Sequence, residues 1–144
     1  LWVPIESVAA AAGELAAAGA RPAAEEELEE LRVANGIARW GYEMDLKTIP
    51  QEAGVDERAV HFDKGCYVGQ EAMAKIHFRG KVNRRLALLE TEGDPERGTD
   101  VYAEGAPVGK LTSVAGGRAL AIVKRTVEPD ATVEVGGAAA RVVG

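Results

Sequence analysis

The 144 residues contain a single thiol, and its surroundings are specific: Lys64-Gly65-Cys66-Tyr67-Val68-Gly69-Gln70-Glu71. Cys66 lies between two glycines, in a loop that runs straight into a helical pattern. Backbone N–H groups at a helix start and the ammonium of Lys64 both favour negative charge. The arrangement therefore favours the thiolate, the form that attacks electrophiles and binds metals. Gly65 and Gly69 allow left-handed backbone or close approach by a ligand. The competing reading makes Cys66 a small buried apolar residue and leaves Glu71 to satisfy the first helical turn.

Three further groups of residues bear on chemistry. His61 or His77 is a candidate base for a Cys–His pair, although the spacing designates no third, orienting group. One Cys and two His fall short of the four ligands of a structural zinc or an iron–sulfur cluster, so no self-contained metal site is expected. At most the chain contributes one ligand to a shared cluster. Lys75, His77, Arg79, Lys81, Arg84 and Arg85 form a basic stretch suited to carboxylates or phosphates, or else a solvated rim between domains. Asn35, Arg39, Tyr42, Glu43 and Asp45 are a polar set that faces either a ligand or solvent.

The elements that must position these groups divide the chain near residue 84. Ser7 is placed to cap a helix running to about Ala18, with Val8, Ala11, Ala12 and Leu15 at helical spacing and Gly19 as the stop. Pro22 and Glu25-Glu26-Glu27 start a second helix, whose buried stripe is expected at Leu28, Leu31 and Ala34 or Asn35. Residues 36–63 read as an irregular connector with one short helix near 51–59. A further helix is expected from Gln70 to Phe78, ended by Gly80. Beyond Arg84 the pattern changes to short β runs at 86–89, 101–102, 108–114, 119–123, 132–135 and 139–143, separated by Gly and Pro. Such spacing predicts a small antiparallel barrel or sandwich.

With 47% hydrophobic and 28% charged residues the composition is globular, and with aromatics at 5% the packing must rely on Ala, Gly, Val and Leu. A net charge of −6 argues against phosphate-backbone binding, so no direct nucleic-acid partner is expected. No run of eighteen apolar residues appears, so no membrane span is expected either. A lone cysteine precludes an internal disulfide and suits a reducing compartment, the cytoplasm. Leu1-Trp2-Val3-Pro4 has neither an initiator Met nor a signal-peptide layout, and reads as a start within a strand of a longer protein.

The octapeptide Lys64–Glu71 resembles the Lys-Gly-Cys-(Phe/Tyr)-x-Gly-Gln-Glu signature of the YgfZ family, folate-binding relatives of the glycine-cleavage T-protein. Leu31-Arg32-Val33, Gly36-Ile37, Gly41, Asp45 and Ile49-Pro50-Gln51-Glu52 upstream, and Arg79-Gly80 and Arg84-Arg85-Leu86 downstream, also resemble it. The resemblance implies an α+β fold: the end of a ferredoxin-like α/β domain (1–84, with the motif) followed by a small antiparallel β-barrel (85–144). It implies tetrahydrofolate as cofactor, with most of the pocket in an N-terminal half that is the first expected partner. It also implies a role in assembly or repair of iron–sulfur clusters in client proteins, including enzymes of tRNA modification.

Carried over residue by residue, the resemblance makes Cys66 the functional thiol. Lys64, Gly65, Tyr67, Gly69, Gln70 and Glu71 hold its loop, and Arg79 and Arg84 are candidates for binding the cofactor. A thiol in that role binds iron transiently, accepts persulfide sulfur or forms a mixed disulfide with a client. Two alternatives stand beside it: an aminomethyltransferase of the T-protein type, whose members lack the cysteine signature, and a folate-binding module without chemistry.

Overall fold

Small β-branched and aliphatic residues in alternation, broken by glycine pairs, give the C-terminal half its form. The computed structural model describes residues 2–143. Six strands, β1 (Arg84–Glu90), β2 (Asp100–Ala103), β3 (Ala106–Ala115), β4 (Arg118–Lys124), β5 (Thr132–Val135) and β6 (Ala138–Val142), close an antiparallel barrel in the order β1-β4-β3-β2-β5-β6. Closure is made by β6 returning to β1, with Leu89 opposite Val142. No sheet edge is left for aggregation. Three hairpins turn on two residues of positive φ: Glu104-Gly105, Gly116-Gly117 and Gly136-Gly137. That geometry matches the strand twist.

The barrel interior is a single cluster of small and medium apolar side chains, among them Ala87, Leu89, Val101, Leu111, Ala121, Val123, Val133 and Val142. Every second residue faces inward, as a pleated strand dictates. β3 breaks that rhythm. Leu111 pairs with Ala121 and Ser113 pairs with Leu120, so Thr112 is an extra residue in a bulge. A bulge re-aims the side chains beyond it. Ser113, which strict alternation would turn inward with Leu111, instead shares the outer face with Leu120.

The N-terminal half is helical. A 3₁₀ turn (Ile5–Ser7) leads into α1 (Val8–Ala17), followed by α2 (Glu25–Ala34), the short α3 (Asp56–Ala59) and α4 (Gln70–Arg79). Residues 2–4 precede that turn rather than forming the expected strand. Ser7 makes no side-chain cap, because the 3₁₀ turn already holds it in helical geometry. α1 buries none of its residues, and Val8 and Leu15 are exposed. Arg21 and Glu27 form a paired salt bridge at the start of α2, where Glu27 also accepts the Ala24 N–H at 2.9 Å.

α2 lies against β3 and β4, but not on its predicted stripe. Leu28 and Leu31 are 56% and 60% exposed, whereas Val33 is fully buried and Glu29 and Arg32 face inward with it. The helix is rotated because its strongest contacts to the barrel are polar, as described below.

Gly109 on β3 approaches β4 so closely that a Cβ there would sit 2.3 Å from the Ile122 carbonyl oxygen and 2.8 Å from the Val123 Cα. Neither backbone atom can yield without opening the ladder. Gly109→Ala is therefore expected to lower stability by about 1–3 kcal/mol, read as a fall in the urea midpoint at constant m.

Candidate functional site

The thiol loop is closed by its own side chains. Gly69 takes the left-handed conformation at φ 87° and starts α4. Gln70 accepts the Tyr67 N–H through its Oε1 at 3.1 Å and donates its own N–H to the Tyr67 carbonyl at 3.3 Å. The pair of bonds ties the loop to the first turn of the helix. Lys64 places its Nζ 4.8 Å from the Tyr67 ring centroid, a cation–π contact. Gly65 is not among the described residues with positive φ, so its backbone needs no glycine on that account. Glu71 lies in the first turn, where the helix dipole favours a carboxylate. Cys66 is exposed, and so is Val68 beside it. Within this chain the thiol is open to solvent.

Both histidines have other partners. His61 accepts the Asp63 N–H on Nδ1 at 3.2 Å, and His77 stacks on Phe62 with centroids 3.9 Å apart at 21°. Phe78 meets both rings edge-on. The structure thus gives these histidines local roles rather than a Cys–His pair. No cluster of three or more His, Cys, Asp or Glu side chains able to hold a metal ion occurs among the described residues. α4 is anchored below by buried Met73, whose carbonyl accepts from Gln51 Nε2 at 3.3 Å.

The basic stretch is divided rather than gathered. Arg84 forms a two-pronged pair with Glu52, at 3.1 and 3.2 Å. Arg85 donates to the Val127 carbonyl at 3.0 Å. Arg79 closes α4, and its side chain lies outside the described residues. Arg84 does border a cavity of about 330 Å³ between the connector and the barrel, lined also by Tyr42, Asp45, Thr48, Glu52 and Ile122. Asp45 there is held below its ordinary range, first by the Thr48 hydroxyl.

The connector's polar set has a structural centre that residue spacing alone does not assemble. Glu43, whose side chain is fully buried, accepts from Arg32 Nη1 (3.1 Å), from the Arg39 N–H (2.9 Å) and from the Ser113 hydroxyl (2.6 Å). Arg32 also pairs with Glu29 through two nitrogens, both at 2.8 Å, and donates to Ser113 Oγ and to the Ile37 carbonyl. Arg39 stacks on Tyr42 at 3.6 Å and Arg97 stacks on the same ring at 3.8 Å, so the two guanidiniums sandwich it. Glu29 and Arg32 at helical i,i+3 spacing were a legible signal. Ser113 gave none.

The barrel and its comparisons agree. Residues 83–143 match the family described as "CAF17, C-terminal beta-barrel domain". The whole chain superposes on a crystal structure of the glycine cleavage system aminomethyltransferase T from Bartonella henselae with a TM-score of 0.81, covering 99% of this chain and 44% of that one at 21% identity. In sequence it is 36% identical over 116 residues to an aminomethyltransferase of Rubrobacter xylanophilus, spanning 80% of this chain and 28% of that protein.

It is 34% identical over 104 residues to "Putative transferase At1g60990, chloroplastic" of Arabidopsis thaliana, spanning 72% of this chain and 24% of that one. It is also 38% identical over 78 residues to "Iron-sulfur cluster assembly factor IBA57 homolog, mitochondrial" of Chaetomium globosum, spanning 51% of this chain and 18% of that one. The chain thus has an α+β fold like that of the aminomethyltransferase T structure, with a C-terminal barrel that matches the CAF17 description. It matches about a quarter of the length of the aminomethyltransferase and the putative transferase.

Two outcomes test the buried network. Arg32→Met leaves Glu43 buried without its cation and is expected to cost about 3–5 kcal/mol, measured by urea unfolding. The Glu29 carboxyl is held below its ordinary value of 4.5, chiefly by the hydrogen bond from Arg32. Its stabilisation is therefore complete above that value and is lost as pH falls through the lower folded value. Glu29→Gln should reduce stability at neutral pH by about 1 kcal/mol, and the difference from wild type should vanish in acid.

Proposed function

We propose that this chain is part of a tetrahydrofolate-linked protein of the YgfZ type, acting in the assembly or repair of iron–sulfur clusters, with Cys66 as the working group. The observation that carries the reading is the exposed thiol on a loop fixed by Gly69 and Gln70 at the head of α4. Likeness to proteins named as iron–sulfur cluster assembly factors supports the same direction. Cys66 presents sulfur to a client, while Lys64, Tyr67 and Gln70 keep the loop in place. Enzymes of tRNA modification are among the clients in this reading, and the chain itself makes no nucleic-acid contact. Its other partner is the N-terminal T-protein-like half, against which the exposed Leu28 and Leu31 face of α2 is suited to pack. A single thiol kept reduced suits the cytoplasm.

Tetrahydrofolate, whose chemistry is to carry one-carbon units, fits the connector cavity in part. A volume of about 330 Å³ is at the small end for such a ligand, so this chain supplies one wall. Both faces of the Tyr42 ring are taken by Arg39 and Arg97, so the polar contacts fall to Asp45 and Glu52, which offer acceptors for ring N–H groups. Arg84, already paired with Glu52, would orient that carboxylate.

Likeness to aminomethyltransferases favours a second reading, transfer of an aminomethyl carbon to folate. Cys66→Ala separates the two. In cells lacking the parent protein, restored with the full-length form, the variant is expected to lose at least about tenfold of iron–sulfur enzyme activity, with barrel stability unchanged. Full activity in the variant would reject the thiol role and leave the aminomethyltransferase reading or a folate-binding scaffold.

A further inference from the structure

The connector cavity continues over the outer face of the barrel. A second groove of about 350 Å³ shares Arg84 and Ile122 with it. The groove is lined by the apolar Pro107 and Ile122 and by Arg84, Lys110 and Lys124, with Asp100 as the one carboxylate in its lining. In a chain of net charge −6 this is a local excess of cations.

The ladder makes that excess costly. Arg84 and Lys124 are direct partners across β1 and β4, and Lys110 on β3 stands opposite Ile122. Like charges placed directly opposite on neighbouring strands destabilise a sheet. Arg84 is paired with Glu52 at 3.1 Å and Lys110 with Asp100 at 2.6 Å, while Lys124 donates to a neutral acceptor, the Pro107 carbonyl, at 3.0 Å. The three cations stand on successive strands β1, β4 and β3, with Arg84 directly opposite Lys124 and Lys110 diagonal to it at roughly 7–8 Å, beside the apolar Pro107 and Ile122. The ligand that suits such a surface is a flexible chain of methylenes bearing carboxylates at short intervals.

We propose that this groove binds the γ-linked oligoglutamyl tail of a folate whose ring system occupies the adjoining cavity. The inference rests on the folate reading above. It assigns Lys110 and Lys124 to the tail and leaves the ring to the connector.

The test titrates the full-length protein, in which the remaining walls of the proposed folate site are present, with three probes: monoglutamyl tetrahydrofolate, its pentaglutamyl form, and free penta-γ-glutamate. Each is measured against wild type and against the Lys110→Gln/Lys124→Gln double variant. Both side chains are exposed, so thermal stability should be preserved. The pentaglutamyl form is expected to bind wild type about tenfold more tightly than the monoglutamyl form, as a few surface ion pairs together allow. The double variant should abolish that gain, leave the monoglutamyl affinity unchanged, and weaken the free tail by a similar factor. Added salt should shrink each difference.

Equal affinity of the two folates, with the free tail indifferent to the double variant, would overturn the groove while leaving the folate reading intact. Binding of the free tail without binding of the monoglutamyl form would uphold the groove and remove the folate reading.

Discussion

A guanidinium taken out of water must find its partners inside the protein, and Arg32 finds them on three separate pieces of chain. Glu29 lies on the same helix, Glu43 and the Ile37 carbonyl belong to the connector, and Ser113 belongs to the barrel. The Arg32 side chain is 13% exposed and that of Glu43 not at all. Neither charge is tolerable in that position without the other, since desolvation costs several kcal/mol per ion. The network therefore specifies one arrangement of α2, connector and barrel. The bulge at Thr112 supplies the last partner by turning Ser113 outward. Everything placed by the connector depends on it: the cavity beside Tyr42, the pairing of Glu52 with Arg84, and the path of the chain toward Met73 and α4.

Against that rigid base the thiol loop is lightly held. α4 buries Met73 and leaves His77 and Phe78 exposed. Its head is organised locally, by Gly69, Gln70 and the Lys64–Tyr67 contact. In the reading proposed above, a thiol that reaches solvent suits a group that must meet another protein, because access is required and a closed pocket would prevent it. The same division appears in the charges: Arg32 and Glu43 are paired in the interior, while Lys64 and the groove lysines remain at the surface.

Much of this was legible from residue types and spacing. Alternation and paired glycines located all six strands, since a strand's period of two and a tight hairpin's need for positive φ both leave direct marks. The Cys66 motif was legible as a loop entering a helix, because Gly69 and Gln70 sit where a helix start needs them. The failures had physical reasons. Leu28 and Leu31 fit an apolar stripe, yet an ion network, invisible to hydrophobic periodicity, rotated α2 toward Glu29, Arg32 and Val33. Ser113 could not be recognised because a bulge inverts the alternation that such reading assumes. Arg84 and Arg85 looked like one basic surface, but their partners, Glu52 and the Val127 carbonyl, are long-range in sequence.

The most direct test of the account is the rate of Cys66 alkylation on this chain and on the full-length protein, each with and without tetrahydrofolate. The account predicts a thiol that reacts readily in both and is protected by tetrahydrofolate in the full-length protein. An inert thiol in every sample would contradict it and reduce Cys66 to a bystander on a folate-binding scaffold.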